Sequence, residues 1–509
     1  MPGATKPAAK TVAKSTGLGF WMQRVLEECE RAKVGFAPDP VHDLRVALRR
    51  CRSMADGLMA MDPDPSWRQM KKAGKRLFRA LGDLRDLQVM EEWTRHFAAP
   101  GDPVGERLLQ TFAVREAAFK EQSAQALQEF DRKQWRRWSR SLPHRAARVR
   151  PGSLLFQHLA LERWTEAYAL HRRALRNRSQ TSWHQLRIAI KRFRYVVENF
   201  LPAQHAAWSG DLKDLQDLLG EVHDLDVLWA TAREVHPFGD AEGEARWHAT
   251  IRHERDQRIE KYRAKMMGKA NPGKPNLWQA WRAELPRGKA IEAAAQHRLK
   301  LWASFLDPDR RHSRHVARLA LQLHDGFAAE GKIPHEPEGD PREVLRLAAL
   351  LHDVGLSKQE KRHHKATYRL IQGMQSPLGV RPRDLQMAAA VARYHRGALP
   401  RAGQKALRTL APEQRREVQR LSGILRLANA FDASRDGRIR RLEVHRQNGF
   451  FVIGAEGYSA RDRLAETIAG GRHLLEVLLR RPLLVQTLKR PKSKKLTSPK
   501  TAESRHRSA

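Results

Sequence analysis

The chain has little of what would tie it to an oxidising compartment or a membrane. Its 509 residues include two cysteines, Cys29 and Cys51. Two cysteines make neither a disulfide framework nor a thiolate metal site, and they fit a reducing cytoplasm. No run approaches the ~18 apolar residues that a membrane span needs. The opening MPGATKPAAKTVAKSTG lacks the apolar core of a signal peptide and reads as a disordered basic arm over residues 1–15. No glycine-rich phosphate loop occurs, and strand signals are sparse. Negative charge is scarce too: 57 Asp and Glu stand against 95 Lys and Arg, a formal net charge of +38. A field of that sign draws polyanions and says little about fold. What remains is 41% hydrophobic, enough for real cores, and rich in helix formers.

The positive charge is organised. In VHDLRVALRRCR, residues 41–52, His42, Arg45, Arg49 and Arg52 fall at offsets 0, 3, 7 and 10. In WHQLRIAIKRFRY, residues 183–195, His184, Arg187, Lys191 and Arg194 repeat those offsets. At about 100° per residue each set spans an arc of roughly 80° on a helix. The opposite face is apolar in both copies: Leu44, Ala47, Leu48 and Cys51, then Leu186, Ala189, Ile190 and Phe193. A solvated helix usually mixes signs, because like charges one turn apart repel. A stripe of one sign points to an anionic partner. Arg gives bidentate contacts to phosphate oxygens, Lys a mobile point charge, and His a titratable donor. Arg50, Arg192, Lys75 and Arg79 extend the stripes, as do Lys71, Lys72, Arg76 and Lys213.

The stripes belong to a longer repeat. RLFRALGDLRDLQVM, residues 76–90, is echoed by LQDLLGEVHDLDVL, residues 215–228, which pairs Gly82 with Gly220 and Asp86 with Asp224. Each unit therefore runs from a His–cation helix to an LG…DL helix, with helical segments and short Pro/Gly breaks between. The Gly/Pro/Lys-rich stretch within 266–289 reads as a linker. A second helical region follows over 290–486. It ends in a β-hairpin, IRRLEVHRQNGFFVIGAEG, with an Asn-Gly turn at 448–449. The basic, polar segment 487–509 reads as a disordered tail.

The His–cation helices and LG…DL segments resemble the signature motifs of the CHAD family, the conserved-histidine α-helical domain, over roughly residues 16–265. The two repeats would run from 16 to about 150 and from 151 to 265. The resemblance implies a mainly all-α fold with two four-helix bundles around a basic central cavity. It also implies binding of inorganic polyphosphate through His42, Arg45, Arg49, Arg50, Arg52, Lys75, Arg79, His184, Arg187, Lys191, Arg192 and Arg194. Asp86 and Asp224 look like the family's structural acidic positions.

A second constellation lies downstream. RHSRHVARLALQLHD contains His315, and LRLAALLHDVGLSK ends an apolar helix in His352-Asp353. RHHKATYRLI, VARYHRG and LRLANAFDAS add His364, His395 and Asp432. Imidazole and carboxylate suit a divalent metal, which polarises a phosphoryl oxygen and acidifies bound water. The pattern resembles the HD superfamily of metal-dependent phosphohydrolases. It is most like the C-terminal helical domain of the exopolyphosphatase and guanosine pentaphosphate phosphatase family. That likeness implies a divalent metal (Mn, Mg or Fe) on His315, His352, Asp353, His364, His395 and Asp432. Asp353 would be central to catalysis, and Lys358 and Arg396 would contact phosphate. Where such enzymes usually place a final Asp after Ala, this chain has Ala428-Asn429.

The expectation is a cytoplasmic polyphosphate-binding protein, on polyphosphate or storage granules, whose HD-type region hydrolyses or senses polyphosphate or a phosphorylated nucleotide. Two other readings stay open. One is a non-catalytic architectural protein of such granules. The other is a non-specific nucleic-acid binder, although no recognition motif supports it. If the stripes are the site, Arg45→Glu with Arg187→Glu should weaken polyphosphate binding far more than charge reversals within 489–507. Filter binding of both variants at fixed salt checks this, and equal losses would show diffuse attraction.

Overall fold

The computed structural model describes residues 17–34, 36–267, 276–331 and 340–488. The expected arm at 1–15, residues 268–275 of the linker and residues 489–509 of the tail lie outside the described residues. The fold is mainly α-helical with one small sheet near the C-terminal end. No described helix is long and apolar enough to cross a membrane. The chain divides into two compact units. One is Met1–Phe305 with Pro377–Gly379, and the other is Leu306–Ser376 with Val380–Ala509. The helix Lys289–Ser304 therefore falls in the first unit, whereas composition put the start of the second region at 290.

In the first unit the two repeats are visible as matched helices. Leu18–Ala32, Pro38–Leu58 and Lys75–Phe97 are answered by Leu154–Asn177, Gln180–Phe200 and Pro202–Val235. The third member is continuous in the second repeat. In the first it is preceded by a separate helix, Pro65–Ala73, and Gly74 forms the junction. Prolines at first-turn positions, as at Pro38, Pro65, Pro103 and Pro202, set the starts, where a missing N–H costs nothing. Side-chain caps from Asp64, Asp102, Asp131 and Ser179 secure others.

Both stripe helices bury the predicted apolar face. Leu44, Ala47, Leu48 and Cys51 are shut from solvent, as are Leu186, Ala189, Ile190 and Phe193. The LG…DL helices of the two repeats also pack on each other. A smaller core mixes the repeats directly, with Leu87 and Met90 beside Leu225 and Leu228. The repeats meet closely at Gly57, where an added Cβ would lie 2.5 Å from the Phe200 ring.

The second unit is built from Arg310–Ala329, Pro341–Leu351, His363–Gln372, Pro382–Arg393 and Pro412–Phe431, with a 3₁₀ turn at Val354–Ser357. Strands β1 (Leu442–Gln447) and β2 (Phe450–Ala455) form the expected hairpin. Asn448 and Gly449 have φ of 44° and 89°, the left-handed pair that a type I′ turn requires. A third strand, β3 (Leu483–Thr487), lies parallel to β2 after the helix Arg463–Leu479. It occupies residues whose end had been read as tail.

One buried carboxylate ties the first unit together. Asp62 accepts bonds from Arg145 Nε at 2.7 Å and Nη2 at 2.6 Å, from Trp67 Nε1 at 2.9 Å and from the Asp64 N–H at 3.0 Å. Arg145 keeps Asp64 at 3.3 Å and some solvent, so the main loss in Asp62→Ala is the acceptor of the buried Trp67 N–H, and the change should cost about 1–3 kcal/mol. All 13 tryptophans lie in this unit, so urea unfolding followed by tryptophan fluorescence reads the loss directly.

Candidate functional sites

The two stripes converge within the first unit. Their helices pack on each other, and the Arg49 guanidinium stands 5.9 Å from the Tyr195 ring of the opposite stripe. Arg45 donates to the Leu81 carbonyl at 2.7 Å and lies 5.6 Å from the Phe78 ring. Gly82 makes room for it: a Cβ there would sit 3.0 Å from Arg45 Nη1. Arg52 donates to the Lys71 carbonyl at 2.7 Å and faces the same Phe78 ring at 5.2 Å.

Charge crowding shows in the titration of these groups. Burial, with Arg187 and Arg49 adding repulsion, pulls the Lys191 ammonium down to about 8. Burial also lowers Arg45 and Arg187, opposed by Asp86 and by Asp224 with Asp86 respectively. Burial raises the Asp224 carboxyl to about 6 against the pull of Arg187 and Lys191. Arg49 Nε and Arg187 Nε are buried with no hydrogen-bond partner among the described residues. Arg45, Arg49, Arg187 and Lys191 thus share a half-buried layer with Asp224, and Asp86 stands exposed beside it.

Other predicted stripe members sit differently. Arg50 is committed to Glu198 and to Asn199 Oδ1 at 3.3 Å, which joins the repeats. Arg192 pairs with Glu166 at 3.2 Å. Lys75, Arg79 and His42 are exposed, and Arg194 is half-buried. His184 lies against His223, with their Nδ1 atoms 3.3 Å apart. Burial and the nearby Arg187 bring His223 down to about 4. His223 was not singled out in the sequence, although it sits one residue before Asp224 in the LG…DL segment.

In the second unit, histidines gather around Asp353. His363 Nε2, His352 Nε2 and His395 Nε2 lie 3.2, 3.5 and 3.8 Å from Asp353 Oδ1. Each ring is oriented through its other nitrogen. His352 Nδ1 donates to the Ala349 carbonyl at 2.7 Å, His395 Nδ1 to Ala392 at 2.7 Å and His363 Nδ1 to Glu360 at 3.1 Å. With Nδ1 carrying the proton, Nε2 turns a lone pair toward the carboxylate. Burial keeps His352 and His395 low, favouring neutral imidazole. Burial alone would raise Asp353, but positive charge beside it, on the Arg435 guanidinium and on whichever of the rings carries a second proton, outweighs burial and holds the carboxyl well below the usual range. Thr367 clasps the segment: its Oγ1 donates to the His352 carbonyl at 2.8 Å and accepts from the Gly355 N–H at 3.0 Å.

Three expected ligands fall outside this cluster, and two others replace them. His312, not His315, reaches the Asp353 group. It starts the buried face that continues through Val316, Leu319 and Leu323. His315 instead contacts Arg318 at 2.9 Å. His363, not His364, faces His395, because it shares a helix face with Thr367 and Ile371. His364 packs under Gly397, which at φ 76° places its Cα side over that ring. Asp432 lies behind His312, bonded to its Nδ1 at 2.7 Å and to the Gly437 N–H at 3.0 Å, so it orients that ring. Lys358 and Arg396 are exposed. Helix phase is the signal that separates 363 from 364, whereas 312 and 315 lie one turn apart on the same face.

Two family profiles match the chain: the CHAD domain over residues 22–233, and the Ppx/GppA phosphatase domain III over residues 300–463. No curated protein matches. Among solved structures, the chain is similar to the crystal structure of the CHAD domain from the plant Ricinus communis. The identity is 23% and the TM-score 0.35, over 52% of this chain and 88% of that one.

The cluster depends on a close approach at Gly355. A Cβ there would stand 2.2 Å from the His363 carbonyl oxygen and 2.5 Å from the Thr367 nitrogen. Gly355→Ala must therefore move the helix that carries His363. The expected cost is about 1–3 kcal/mol, as for other overpacked sites. Displaced His363 and His395 imidazole signals in heteronuclear NMR would accompany it.

Proposed function

The chain joins a CHAD domain to a Ppx/GppA phosphatase domain III, and from that premise we propose that it binds inorganic polyphosphate along the paired stripes and hydrolyses or senses a phosphorylated ligand at the histidine cluster. The observation that carries the binding half is the layer of Arg45, Arg49, Arg187 and Lys191, half-buried beside Asp86 and Asp224. Like charges held together out of water are costly, and a phosphate chain offsets that cost by replacing both solvent and counterions. An extended polyanion with one charge after another suits two facing cationic walls better than a compact anion does.

The second-unit cluster fits a divalent cation. His363 Nε2 and His395 Nε2 face each other at 3.1 Å with both Nδ1 protons engaged elsewhere. Two lone pairs at that distance call for a positive charge between or beside them. Among the described residues His352 Nε2 is buried without a hydrogen-bond partner. His352, His363, His395 and Asp353 would hold the ion, and this imidazole-rich set suits Fe better than Mg. Such an ion, when bound, polarises a phosphoryl oxygen and acidifies bound water. The chain's own part is to aim three imidazoles, through Ala349, Ala392 and Glu360, to keep His352 and His395 low by burial, and to keep Asp353 ionised. Lys358 and Arg396 stand in solvent as candidate phosphate contacts.

Hydrolysis is tested on a denaturing gel of long polyphosphate incubated with protein and Mn²⁺. Shortening that Asp353→Ala abolishes is the expected result. An unchanged ladder with the unaltered protein would overturn hydrolysis of this polymer and leave binding or sensing.

Binding carries its own pH signature. Lys191 begins to lose its proton near pH 8 in the free protein, and an adjacent phosphate chain favours the ammonium. Association should therefore take up protons just above that pH, and affinity should fall as pH rises through about 8. Calorimetry at about pH 8.5 in two buffers of different ionisation enthalpy reads the uptake. Lys191→Arg should abolish it while keeping affinity within a few-fold.

A further inference from the structure

Asp353 presents its two oxygens to different surroundings. Oδ1 faces the Nε2 atoms of His352, His363 and His395. Oδ2 accepts from Arg435 Nη2 at 2.7 Å, with His312 Nε2 at 4.0 Å. The same guanidinium bonds Asp309 Oδ2 at 3.2 Å, so two carboxylates fix it. Arg435 has φ of 55°. A left-handed non-glycine residue persists only where its surroundings over-determine it, and here the Arg435 N–H is also bonded to the Asp432 carbonyl at 2.9 Å.

The donors nevertheless form two overlapping triads, His312–His352–Asp353 and Asp353–His363–His395. They are not equivalent. In the first, His312 has both ring nitrogens engaged, Nδ1 with Asp432 at 2.7 Å and Nε2 with the neutral Asn429 Oδ1 at 3.0 Å. In the second, the Nε2 atoms of His363 and His395 are turned toward Asp353 Oδ1, and each Nδ1 is held by a backbone carbonyl.

We propose that this site takes one metal ion and not two, and that Arg435 supplies the second positive charge. The guanidinium neutralises Asp353 Oδ2, Asn429 adds no charge opposite it, and the ion is left to Oδ1 with His352, His363 and His395. Arg435 is thus a positioning residue that holds Asp353 in one orientation and excludes a metal from the His312 side. This rests on the metal-site reading above, and the test separates the two.

The test is Mn²⁺ stoichiometry after equilibrium dialysis, with electron paramagnetic resonance of the bound ion, on the full chain. The unaltered protein should bind one equivalent and show an isolated Mn²⁺ spectrum. Asn429→Asp combined with Arg435→Ala should bind two, with the dipolar broadening of a close pair. Two equivalents or a coupled spectrum in the unaltered protein overturns the proposal, without needing any variant to fold. One equivalent in both proteins also overturns it, provided circular dichroism shows the variant folded. No Mn²⁺ bound to the unaltered protein overturns instead the metal reading from which the proposal starts.

Discussion

The first unit is organised by a charge imbalance that its own packing creates. The apolar faces of the Pro38–Leu58 and Gln180–Phe200 helices are fully buried, and burying apolar surface is the dominant favourable term in folding. With those faces inward and the helices packed together, the opposite arcs have little freedom. Arg45, Arg49, Arg187 and Lys191 are forced into shared space. Some of the strain is relieved locally, by the Leu81 and Lys71 carbonyls, the Phe78 ring and the Arg50–Glu198 pair. The rest is not, as the Nε atoms of Arg49 and Arg187, without a hydrogen-bond partner among the described residues, show. Natural folds violate local rules mainly at functional sites, and this layer is where the first unit does so.

The second unit uses the converse arrangement. One carboxylate, Asp353, is surrounded by imidazoles whose protons are fixed on backbone carbonyls. Helix ends do the aiming: His352 and His395 each follow a helix and turn Nδ1 back onto its last carbonyls, while His363 begins the next. The Thr367 clasp and the close contact at Gly355 hold these ends in register. Chemistry and folding are therefore coupled here through backbone geometry more than through side-chain packing.

The repeat, the helical class, the amphipathic phase of both stripes and the Asn-Gly hairpin were legible in the sequence, because each rests on local spacing. Choices between neighbouring residues were not. The structure brings His312 and His363, not His315 and His364, to Asp353: His363 and His364 are adjacent and differ in helix phase, while His312 and His315 share a face and differ in which turn meets Asp353. Asp432 was expected to ligate and instead orients His312 from behind. Arg435 carried no local signal, because its role depends on a left-handed turn and on two carboxylates distant in sequence. Arg50 and Arg192 look equivalent to their neighbours in the sequence, yet glutamates from other helices claim both. The mixing of repeats in one core, Leu87 with Leu225, is likewise a tertiary fact.

The central claim is that the two stripes grip the same stretch of one polyanion. A double-mutant cycle of Arg49→Ala and Arg187→Ala, read as affinity for polyphosphate of fixed length at fixed salt, tests it most directly. One shared site predicts a coupling energy of at least about 0.5 kcal/mol between the two changes. Strict additivity would contradict the account, because it would mean that each stripe meets the polymer alone.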